Sequence, residues 1–161
     1  MMQGLQAMKD SAALLVYWDG EASDISWPEP CIVEYVTNGQ GGINSLSKGT
    51  IDAMMADKNT SIYDLIGIGN IRKKYPPQTS TEKTVMQTVI GDMMSVYPSE
   101  SYGIIFGSHG SGWLPTIAGT RSIGQDGGRY SSDTALIPEL AEVLRTVNPQ
   151  KFDFVLFDAC M

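Results

Sequence analysis

Two residues of this sequence have side chains suited to attack on a carbonyl. His109, the chain's one histidine, closes the apolar run in "YGIIFGSHGSGW", and Cys160 closes a second run, "FDFVLFDAC". An imidazole titrates near neutrality, so it can take the proton of a thiol and later return one to a leaving amine. The thiolate so formed is the nucleophile of acyl transfer through a thioester. Neither residue is reactive by type alone. A lone histidine at a strand end is more often incidental, and a cysteine after a buried strand commonly serves as a small hydrophobe. Paired chemistry requires the two to be neighbours in space. Gly110, next to His109, has no side chain to keep a backbone N–H away from an acyl oxygen. The N–H of Cys160 is a natural second donor of such an oxyanion hole.

The elements that must bring these residues together are readable from periodicity. "AALLVYW" predicts a buried strand over 12 to 18, closed by Asp19-Gly20. "MMQGLQAMKD" before it resembles the tail of a helix, "SDISWPEP" reads as loop, and "CIVEYVT" alternates like an exposed strand. "SIYDLIG" and "IRKKY" predict a hairpin over 61 to 75. A helix follows over 80 to 97, with Thr79 as expected cap and Glu82 as its reciprocal partner. Val85, Met86, Val89, Ile90, Met93, Met94 and Tyr97 form its apolar stripe, which is core packing rather than a cofactor box. "YGIIFGS" predicts a fully buried strand over 102 to 108, because no polar alternation runs through it. Residues 110 to 133, rich in Gly and Ser and carrying Arg121 and Arg129, read as a long exposed loop. A second helix is expected over 137 to 147, with Ile137, Leu140, Ala141, Leu144 and Val147 inward, and a last strand over 152 to 158. Strand and helix in alternation predict an α/β fold, a mostly parallel sheet flanked by helices. One right-handed crossover would then set His109 and Cys160 on the same edge, where parallel sheets carry their chemistry.

Composition narrows the functions open to the chain. At 161 residues with 42% hydrophobic and 18% charged side chains it is an ordinary globular sequence. A net charge of -7 repels polyanions, which argues against nucleic-acid or anionic-membrane binding and favours a cationic substrate. No apolar run reaches the roughly 20 residues of a membrane span, and the start lacks the pattern of a signal peptide. Cys31 and Cys160 cannot form a disulfide framework, nor a zinc cluster with a single histidine. Cys31 reads as a small buried hydrophobe.

The 51-residue interval between His109 and Cys160 agrees with the spacing known for caspases, where the histidine lies about 50 residues upstream of the cysteine. "GSHGSGWLP", followed by "FDFVLFDACM", resembles the clostripain family of cysteine peptidases, and "YPSESYGII" and "TRSIGQD" resemble its gut-bacterial members. The resemblance runs from about Tyr97 to Met161. It implies a caspase-like fold, with His109 as general base and Cys160 as nucleophile of a dyad cleaving after Arg or Lys. It also implies that Asp158, of "DAC", receives the substrate cation, since a carboxylate can pair bidentately with a guanidinium. The competing reading of Asp158 is a carboxylate satisfied by nearby backbone.

Residues 1 to 161 would then be part of a peptidase domain that is incomplete at the C-terminus. The domain is also incomplete at the N-terminus if "AALLVYWDG" is the second strand of its sheet. The missing C-terminal part would complete the sheet and the cleft, and the piece alone need not be active. The resemblance further implies secretion or attachment to the cell envelope for the full-length parent, self-cleavage at Arg121 or Arg129, and calcium as an accessory ion. No acidic loop of calcium-ligand spacing is present to support the last. Two other readings stand beside the peptidase: a catalytically silent binding or scaffold domain on the same fold, and a flavodoxin-like nucleotide binder. The latter is disfavoured because no G-x-G-x-x-G follows the first strand and no Walker-type lysine is present.

Overall fold

The computed structural model describes residues 12–19, 29–109, 122–126, 133–148 and 152–160. They form a mixed α/β structure in two compact units, the first holding the strand Ala13–Trp18 with Pro28–Pro76, the second holding Pro77–Met161.

In the first unit β1 (Ala13–Trp18), β2 (Cys31–Val36) and β3 (Asn70–Lys74) make an antiparallel sheet in the order β1-β2-β3. β1 and β2 pair without a shift from Ala13 opposite Val36 to Trp18 opposite Cys31. β2 is the central strand, and Cys31, Val33 and Tyr35 pack with Ile43, Ile51 and Ile66 into one apolar cluster. Ile51 comes from α1 (Lys48–Ala56) and Ile66 from α2 (Ile62–Gly67). The Tyr35 hydroxyl donates to the Leu65 carbonyl at 2.8 Å, which satisfies its polar end. Burial pushes the Tyr35 phenol up, and the neighbouring Trp18 indole opposes the shift. That indole N–H is nonetheless buried without a partner of ordinary hydrogen-bond geometry among the described residues.

Two expectations for this unit are corrected. "CIVEYVT" is not an exposed strand but the most deeply buried one, with Ile32 and Val33 fully covered and Glu34 buried as well. Its single acidic residue produced the alternation, and that residue lies 3.8 Å from Arg72 of β3. The expected hairpin over 61 to 75 is instead a helix followed by a strand. Ser61 and Asp64 form a capping box: the Asp64 N–H donates to the Ser61 hydroxyl at 3.2 Å, and the Ser61 N–H donates to the Asp64 carboxylate at 2.8 Å. This local solution outweighs the β-propensity of Ile62, Tyr63 and Ile66. Gly69 is then required where α2 turns into β3, because a Cβ there would lie 2.1 Å from Val33.

The second unit contains α3 (Lys83–Val96), β4 (Gly103–His109), β5 (Ser122–Asp126), β6 (Asp133–Leu136), α4 (Ile137–Val147) and β7 (Phe154–Cys160). α3 begins with Glu82 as its cap and makes no side-chain capping bond, so the expected role of Thr79 is not realised. Instead the Glu82 N–H donates to the Thr79 carbonyl at 3.0 Å in a backbone turn. Val89 and Ile90 of α3 and Leu140 and Val143 of α4 are buried, and Lys83 and Glu142 join the two helices at 2.5 Å. Val143 takes the inward place that Ala141 was expected to hold, since Ala141 is exposed.

β5, inside what reads from sequence as loop, pairs antiparallel with β6, which begins at that loop's last residue. β4 and β7 pair parallel. Among the described residues this is the one parallel pairing, beside three antiparallel ones, so the mostly parallel sheet is realised only at β4 and β7. Nor are these two strands buried on both faces. Phe154, Val155, Leu156 and Phe157 are exposed, Phe154 by 54%. An uninterrupted apolar run predicts cover on both faces, but the described sheet here has only two strands. No helix among the described residues is long and apolar enough to cross a membrane.

Candidate functional site

The parallel register of β4 and β7 is continuous over seven rungs, from Gly103 opposite Phe154 to His109 opposite Cys160. The histidine and the cysteine therefore occupy the last rung of the same ladder. Neighbouring strands lie about 4.8 Å apart, so the backbones of the two residues are one strand spacing apart. Two residues earlier, Gly107 stands opposite Asp158. Side chains alternate along a strand and partners on a parallel rung share a face, so Gly107 lies on the same face of this sheet as Asp158. Phe106 and Phe157 lie on the other, their rings stacked at 5.7 Å.

What fixes this register is built into the strand entrances. The Tyr102 carbonyl accepts from the Asp153 N–H at 2.8 Å, and the Ser101 hydroxyl donates to the Asp153 carboxylate. Tyr102 is tied in turn to the end of α3: its hydroxyl accepts from the Ser99 N–H at 2.7 Å and donates to the Tyr97 carbonyl at 3.3 Å. A slip of one residue would move Cys160 off the His109 rung and onto the opposite face, so this clamp matters to any joint chemistry. Neither Ser101 nor Asp153 stood out in the sequence. The signal available was the placement of two short polar residues directly before two apolar strands.

Asp158 is exposed, and its carboxylate makes no hydrogen bond or ion pair with another described residue. The expectation that nearby backbone satisfies it finds no support among those residues. Gly110, Arg121 and Arg129 lie outside the described residues. Cys31 belongs to the other unit, where it is 2% exposed in the apolar cluster. Burial pushes its thiol up, a shift that Lys74 opposes and Glu29 reinforces. A buried, protonated thiol is a poor nucleophile, so Cys31 is core and Cys160 is the candidate for chemistry.

No group of three or more His, Cys, Asp or Glu among the described residues is placed to hold a metal ion. An open concavity of about 350 Å³ lies between Met54 and Asp64 in the first unit. Its two acidic side chains are already engaged. Asp57 accepts from the Asn59 N–H at 2.9 Å, and Asp64 belongs to the capping box. The concavity is therefore loop packing.

The sequence model of the Clostripain family matches residues 1–161, the whole chain. The chain belongs to that family, which is one of cysteine peptidases. Comparison with curated proteins and with solved structures found no match.

Proposed function

We propose that this clostripain-family chain carries the dyad of a cysteine endopeptidase that cleaves after arginine or lysine. The observation that supports it most is the shared rung of His109 and Cys160 at the ends of adjacent parallel strands. His109 takes the Cys160 proton, and the thiolate attacks the scissile carbonyl carbon, whose π electrons move onto oxygen. The N–H groups of Gly110 and Cys160 hold the oxyanion. Its collapse breaks the C–N bond as His109 gives its proton to the departing amine, which leaves a thioester on Cys160. A water molecule, deprotonated by His109, then cleaves the thioester and returns the thiol. Asp158, on the same face two residues before the nucleophile, pairs with the substrate cation. Arg121 and Arg129 are the corresponding sites of self-cleavage, and the parent acts outside the cytoplasm or at the cell envelope.

Cleavage of an arginine peptide amide by the full-length protein tests the reading. Cys160→Ala and His109→Ala should each lower kcat by at least about a thousandfold, because dyad members act as a unit. Undiminished turnover in either variant contradicts the dyad and leaves the silent scaffold reading in its place.

A further inference from the structure

The glycine opposite Asp158 has no structural reason to be a glycine. Inside a strand, glycine weakens the ladder and usually marks a bulge, a tight bend or a close approach by another molecule. The β4–β7 register passes through Gly107 without a shift, so there is no bulge. Its φ is not positive, in contrast to Gly39 and Gly41. Crowding among the described residues does not account for it either, because a Cβ built on Gly107 would meet none of their atoms within 4 Å. Gly103, four residues earlier on the same strand and face, is the opposite case: the Phe154 ring lies over it where a Cβ would stand. Among the described residues, the β4 side of this face is thus covered at its first rung and open at Gly107, beside Asp158.

We infer that Gly107 is a specificity-determining position, kept bare so that the aliphatic stem of an arginine or lysine side chain can run along β4 to the Asp158 carboxylate. The inference rests on the reading above in which Asp158 receives the cation. The distances suit it. A substrate whose carbonyl is held at the His109–Cys160 rung must send its side chain down one face by two residues, about 6.6 Å, to reach the Gly107–Asp158 rung. That is the reach of a long cationic side chain and exceeds that of a short one. A branched side chain at 107 would stand in this path and leave the dyad rung itself clear.

The test is the ratio of kcat/KM for an arginine peptide amide to that for an uncharged N-acylglycine ester, measured on the full-length protein with active sites counted by thiol titration. Gly107→Leu should lower this ratio at least about tenfold, with most of the loss in KM for the arginine substrate. Gly107→Ala should lower it in the same direction by less. An unchanged ratio in Gly107→Leu overturns the inference. If that variant does not fold, Gly107→Ala decides, and a wild-type ratio there overturns it equally. Failure of the underlying reading looks different: a wild-type protein without preference for arginine removes the Asp158 assignment, and this inference with it.

Discussion

His109 and Cys160 are partners on the last rung of the parallel β4–β7 ladder, 51 residues apart in sequence and one strand spacing apart in the sheet. The relationship depends on backbone register, so whatever sets the register bears on the proposed dyad.

The Asp158 carboxylate is expected to govern substrate choice rather than rate. Asp158→Asn should lower kcat/KM for an arginine substrate by about a hundredfold, as loss of a charged bidentate partner does. The uncharged ester should lose far less. Parallel losses on both substrates would assign Asp158 a general structural role.

The Ser101–Asp153 clamp, at the end of the ladder opposite His109 and Cys160, is expected to act by positioning alone. Asp153→Ala should reduce kcat by about tenfold through misplacement of the dyad, with KM little changed. Asp153→Asn, which can still accept from Ser101, should recover most of the loss. Failure of the conservative variant to rescue would rule out a positioning role.

The α2 capping box is expected to respond to acid. Hydrogen bonds from the Ser61 hydroxyl and N–H hold the Asp64 carboxyl below its ordinary value. A depressed carboxyl contributes stability above its unfolded value and loses it as pH falls through the folded value. Ser61→Ala should therefore lower Tm near neutrality by about 2 to 4 °C, and the gap to wild type should narrow, without closing, as pH falls through the carboxylate range, because the Asp64 N–H bond to the Ser61 hydroxyl does not titrate. A gap of the same size in strong acid as at neutrality would mean that the Asp64 carboxylate takes no part.

The Cys31 thiol has the reverse sign. Its folded-state pKa is raised by burial, so its contribution is fully present below the unfolded value and is lost as pH rises. Between about pH 8 and pH 10, where an unperturbed thiol ionises, Tm of wild type should fall more steeply than that of Cys31→Ala. Identical slopes would show that the alkaline loss comes from other groups.

Much of this was legible in the sequence, and the parts that were not have definite causes. The stripe of Val89, Ile90 and their neighbours marked α3, and the apolar runs ending at His109 and Cys160 marked β4 and β7, because long one-sided or unbroken patterns survive tertiary context. The segment Ile62–Gly67 was misread because β-branched and aromatic residues suggest a strand, whereas the Ser61-x-x-Asp64 box that makes it a helix is only two residues long. The β5–β6 pair is not legible because both strands are short, β5 carries Ser122 and Gly124, and β6 runs directly into α4. At the candidate site, His109 and Cys160 stand out because each closes an apolar run, and the structure pairs their backbones on one rung. Gly107 does not stand out, because a glycine is informative only once its neighbours show that the space beside it is empty.

The most direct measurement is covalent labelling of the full-length protein with an arginine peptide bearing a thiol-reactive ketone, followed by peptide mapping. One equivalent should be found on Cys160 and essentially none on the buried Cys31, with labelling strongly slowed in His109→Ala. Equal modification of both cysteines, or labelling of Cys160 at the same rate without His109, would contradict the dyad.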